Sequence, residues 1–93
     1  MGATGSTQAN AFSLKPLRDS TLLDVPGIGE IAVAKLGDAN IDSTEKLMGQ
    51  FMVLGRDVGR MTGWLRDVCC IRTQDASRIA QALDEKAARM VSV

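Results

Sequence analysis

The sequence predicts an all-α domain, and three observations carry that expectation. Apolar residues recur at helical spacing along most of the chain, and no run alternates as a strand would. Only 3% of the residues are aromatic in a chain that is 45% hydrophobic, so the core is expected to be Leu, Val, Ile, Met and Ala packed between helices. Ninety-three residues make one domain, near the small end of independently stable folds. Residues 1–10 read as a flexible Gly/Ser/Thr leader and 11–93 as the folded domain. The start Met1-Gly2-Ala3-Thr4-Gly5-Ser6 also fits a permissive lipidation pattern, but the leader reading accounts for it.

Ser6–Phe12 is expected as a first short helix, with Pro16 forcing the chain extended just beyond it. Ser20–Val25 reads as the first arm of a hairpin, carrying Leu22, Leu23 and Val25. Glu30–Ala39 is the second arm, and Asn40 can take the left-handed conformation that ends it. Asp42 followed by Glu45 resembles a capping box, with Ser43 and Thr44 as alternative caps. The helix it begins carries Leu47, Met48, Phe51, Met52 and Leu54 and stops near Gly55. Asp57 can cap the next helix, with Val58, Met61, Trp64, Leu65 and Val68 as its stripe. Thr73 is expected to cap a last helix carrying Ala76, Ile79, Ala80, Leu83, Ala87 and Met90.

Between the two arms lies Val25-Pro26-Gly27-Ile28-Gly29-Glu30, the pattern of a helix-hairpin-helix turn. Gly27 and Gly29 tolerate positive φ and leave the backbone uncovered by Cβ, while Ile28 plugs the core. Amides of Gly27, Gly29 and Ile31 can then point at one phosphate, aided by the positive end of the following helix. Such a grip reads the nucleic-acid backbone and not the bases. The alternative is an ordinary glycine turn between packed helices, since Gly-x-Gly alone is a weak signal.

Eleven basic and eleven acidic side chains cancel, which limits the counterion release that drives strong DNA binding. Lys35, Arg72 and Arg78 can still share one face. Cys69 and Cys70 are adjacent and the chain has no His, so no zinc site is expected. The cysteines read as two reduced thiols, at least one buried, in a reducing compartment. No apolar run approaches the ~18 residues that span a bilayer. With no nucleophile paired to a base and no metal cluster, neither enzymatic activity nor a cofactor is expected. Gly49 sits mid-helix, where glycine costs about 1 kcal/mol relative to Ala and permits close approach by another helix. Gln50 beside it can hydrogen-bond across that contact, so this face reads as a self-association surface. Trp64 taken alone reads as a core anchor.

The run Gly27-Ile28-Gly29-Glu30, Lys35-Leu36, Ile41-Asp42, Leu47, Gly49-Gln50-Phe51-Met52-Val53-Leu54, Trp64-Leu65, Asp67 and Cys69 resembles the barrier-to-autointegration factor family. The resemblance implies a compact five-helix, SAM-like orthogonal bundle that forms a homodimer. It implies sequence-independent binding of double-stranded DNA by each subunit, so that the dimer bridges two duplexes. A nuclear or cytoplasmic setting and LEM-domain, lamin or other chromatin and nuclear-envelope partners are also implied, with no membrane insertion. By position, Gly27, Ile28, Gly29, Ile31 and Ala32 would form the phosphate-facing turn and Lys35 would add an ammonium. Arg72, Thr73 and Gln74, at the start of the last helix, would make the second contact. Gly49, Gln50, Phe51 and Trp64 would lie in the dimer and partner region. Gln8 stands where the family carries a basic DNA contact, and Ala34 and Gly55 stand where it tends to be charged. These departures predict weaker DNA binding and bear against the LEM-domain and lamin partners.

Three functions stand as alternatives. One is a non-enzymatic DNA-bridging dimer; the second is a protein-interaction module of the same fold that has lost DNA binding; the third, which the self-association face argues against, is a DNA-anchoring accessory domain of a repair or recombination assembly. Zero net charge and Gln8 favour the second, while the open glycine turn with Lys35 favours the first.

Overall fold

The computed structural model describes Phe12 and residues 16–91, with the side chains of the last two left aside. Four α-helices follow two short 3-10 turns, and no strand occurs among the described residues. The helices are α1 (Glu30–Asp38), α2 (Thr44–Val53), α3 (Val58–Cys69) and α4 (Thr73–Val91); the 3-10 turns are Leu17–Asp19 and Leu22–Asp24. The five-helix count is therefore corrected to four α-helices among the described residues. Of the expected first helix only Phe12 is described, and it is helical.

The first arm of the hairpin is a single 3-10 turn. Pro26 pushes Val25 to φ −76°, ψ 125°, leaving only Leu22–Asp24 before it to coil. The turn is closed at its start, where the Thr21 amide donates to the Asp24 carboxylate at 2.9 Å. Leu22 and Val25 point inward, whereas Leu23 is 50% exposed. A 3-10 turn places consecutive leucines on different faces.

Helix α1 ends in a Schellman motif. Ile41 N–H reaches the Leu36 carbonyl at 2.8 Å and Asn40 N–H reaches Gly37 at 3.0 Å, with Asn40 at φ 67°. Helix α2 ends the same way through Gly55 at φ 83°, with Arg56 N–H on the Phe51 carbonyl at 3.0 Å. Ser43 caps α2 by accepting from the Lys46 amide at 3.2 Å. Asp42 instead pairs with the Lys46 ammonium at 2.9 Å, and this pairing lowers its pKa. Asp57 caps α3, accepting from the Arg60 amide at 3.0 Å. Thr73 is the first residue of α4 and not its cap, since Ala76 N–H already bonds the Arg72 carbonyl at 2.9 Å.

The core joins Leu22, Val25, Ile28, Leu36, Leu47, Phe51, Met61, Leu65, Ile79 and Leu83, with α4 supplying Ala76, Ala80 and Ala87 as close-packing positions. Thr44 is buried yet satisfied: its hydroxyl bonds the carbonyls of Leu17 at 2.9 Å and Ser20 at 3.2 Å. That contact ties the first 3-10 turn to α2. Lys86 is also buried. Its ammonium donates to the Phe12 carbonyl at 2.6 Å and lies 4.9 Å from the centre of the Phe12 ring. Burial, and then the charge of Arg89, pull the Lys86 pKa down.

Candidate nucleic-acid interface

The hairpin turn is closed by the Ile28 amide bonding the Val25 carbonyl at 3.1 Å, with Ile28 itself buried as a plug. Gly27 adopts φ +96°. A Cβ there would lie 2.8 Å from the Asp75 carbonyl oxygen and 3.0 Å from Ile79 Cγ1. Glycine is thus required both by the left-handed backbone and by contact with α4. Gly29 differs from expectation: it is extended, at φ −109°, ψ −174°, and needs no positive φ. Its role is different, because it caps α1 with no side chain and has no atom within 4 Å of where a Cβ would stand.

Helix α1 makes its first backbone bond from Val33 N–H to the Gly29 carbonyl at 3.0 Å. The amides of Glu30, Ile31 and Ala32 have no intrahelical acceptor, and no side chain among the described residues caps them. The same three residues, with Gly27, Gly29, Ile71 and Asp75, line an open depression of about 480 Å³. Ile31 is 73% exposed beside it, a residue whose backbone is useful while its side chain stands in solvent. Ala32, which also lines it, is buried.

Lys35 is exposed one turn further along α1. Arg72, Thr73 and Gln74 are all exposed, and Ile71 and Asp75 on either side of them line the depression. The start of α4 therefore abuts the hairpin turn. Arg78 belongs to the same neighbourhood, its Cβ 3.4 Å from the position a Gly27 Cβ would take. Gln8 lies outside the described residues. Cys69 is buried and Cys70 exposed in a left-handed cap at φ 56°. Burial pushes the Cys69 thiol up, the neighbouring Cys70 adds to this, and Lys35 opposes it.

On the expected association surface, Gly49 is exposed with nothing near its Cβ position, and Gln50 and Trp64 are half-buried. Phe51 is 0% exposed, so it belongs to the core and offers no surface. The inner stripe of α2 is Leu47, Met48 and Phe51, which leaves Gly49, Met52 and Val53 outward. Met52 is 41% and Val53 78% exposed. Met52, which the sequence places both in the apolar run of this helix and in the patch with Gly49 and Gln50, lies outward, and Val53 beside it is more exposed still. The signal was their spacing of three and four residues from Gly49, which puts all three on one helix face.

An all-helical domain with a glycine-capped hairpin turn against its last helix is the class that these features define. The chain belongs to the barrier-to-autointegration factor family, whose model matches residues 3–90. The barrier-to-autointegration factor of Drosophila melanogaster is 28% identical over 85 residues, 91% of this chain and 93% of that protein. The Homo sapiens protein is 32% identical over 66 residues, 71% of this chain and 74% of its own length. Barrier-to-autointegration factor 1 of Caenorhabditis elegans is 28% identical over 80 residues, covering 86% and 90%. Among the described residues no helix is long and apolar enough to cross a membrane, and no group of His, Cys, Asp and Glu could hold a metal.

Proposed function

We propose that this protein is a non-enzymatic, sequence-independent binder of double-stranded DNA that bridges two duplexes as a homodimer. The observation that carries the reading is the unpartnered α1 N-terminus: amides of Glu30, Ile31 and Ala32 opening on a depression that Gly29 leaves uncovered. A phosphate there would accept from backbone amides at the positive end of a helix. Lys35 is exposed one turn along α1, the exposed Arg72–Gln74 segment lies in sequence between two residues that line the depression, Ile28 is the buried plug of the turn, and family membership supports the assignment. Self-association is placed on Gly49, Gln50 and Trp64, widened by Met52 and Val53. A nuclear or cytoplasmic setting belongs to this proposal; LEM-domain and lamin partners do not.

Fluorescence anisotropy against an arbitrary duplex, repeated between about 50 and 200 mM salt, tests the grip. The expected outcome is binding that ignores sequence and weakens with salt. No binding at the lowest salt would leave the interaction-module reading in its place. Val53→Glu tests the second half: it is expected to halve the mass in light scattering and abolish bridging while single-duplex binding persists.

A further inference from the structure

The depression edged by the α1 N-terminus is also lined by two acidic residues, Glu30 and Asp75, and they differ in how far their charge can move away. Glu30 is exposed at the first turn of α1, so its long side chain can turn into solvent. Asp75 is half-buried, short and on the first turn of α4. Its backbone is pressed against the hairpin, where its carbonyl oxygen would stand 2.8 Å from any Cβ on Gly27. Asp75 lines the same depression as Gly29, Ile31 and Ala32. A carboxylate stays within one side chain's reach of its backbone, so its charge remains at the wall that a phosphate must approach.

We propose that Asp75 is an affinity-limiting residue of this site, a fixed negative charge that opposes the DNA phosphate, weakens binding at low salt and flattens its salt dependence. The inference rests on the DNA-binding reading. Two like charges about 6 Å apart in a largely aqueous dielectric repel enough to change an equilibrium about three- to tenfold. The unbound protein gains from the same carboxylate, because a negative charge in the first turn of α4 complements that helix's positive end.

The test compares wild type, Asp75→Asn, Asp67→Asn and Gly29→Glu by anisotropy on one duplex across a salt series, with helicity and Tm recorded for each. Asp67 is exposed on α3 and does not line the depression, so it controls for net charge alone. The expected result is about three- to tenfold tighter binding by Asp75→Asn, with a gap that narrows as salt rises and little change for Asp67→Asn. A merely structural role would move Tm without producing a salt-dependent gap. Equal tightening by both Asn variants would overturn the inference in favour of a general charge effect. Equal binding by wild type and Asp75→Asn, with loss in Gly29→Glu, would overturn it and leave the DNA reading standing. If neither wild type nor Asp75→Asn binds at low salt, the DNA reading itself fails and takes the inference with it.

Discussion

Gly27 and Gly29 lie two residues apart, yet one faces into the protein and the other out of it. Gly27 turns through a left-handed conformation with α4 against its Cα, and a single added carbon would collide with a backbone carbonyl. Gly29 has ordinary extended geometry and open space above it. The inner glycine is explained by packing, which any hairpin would require. The outer glycine is not explained by packing or backbone, and bare amides beside it are what a ligand would use. The difference separates residues that build the turn from residues that leave it accessible.

Substitutions on the two sides should therefore fail in different assays. Gly27→Ala is expected to have the largest effect, a loss of about 3 kcal/mol from strained φ and overpacking together, read as a lower urea midpoint. Gly29→Glu should cost the fold under about 1 kcal/mol, since a cap glycine is replaced at a permissive backbone position. Its DNA binding should fall about tenfold or more, equivalent to at least about 1.4 kcal/mol, in the same anisotropy titration. A Gly29→Glu protein that melts early yet binds normally would erase the distinction. The smallest effect is expected at the other end of α1. Asn40→Gly relieves a left-handed residue at the Schellman position and should raise stability by about 0.5 kcal/mol, leaving DNA affinity unchanged.

Much of the fold is legible in the sequence because helical periodicity records burial directly. The inner stripes Leu47–Met48–Phe51, Met61–Leu65 and Ile79–Ala80–Leu83 are buried at the spacings read from the chain. The Asp57 cap and the Asn40 stop follow from side-chain chemistry that acts within a few residues. Misreadings arise where distant contacts or a neighbouring proline decide. Pro26 leaves the first arm too short for an α-helix, and Leu23 consequently turns outward. Gly27 and Gly29 look alike in sequence, and only the approach of α4, some fifty residues later, separates them. Phe51 sits inside the motif that carries the family resemblance, and that motif does not separate the residues facing out from Phe51, whose helix face is internal. Lys86 is another such case: lysine is rarely buried, and nothing local announces that Phe12 will supply both a carbonyl and a ring to receive it.

The contact between Gly27 and the Asp75 carbonyl fixes the start of α4 against the hairpin turn before any ligand arrives. The two elements proposed to touch phosphate then form a preorganised unit, and little conformational freedom is left to lose when a duplex docks. A protein with no net charge gains little from long-range attraction, so stiffness at the site is the means left to it for holding a uniform, featureless polymer.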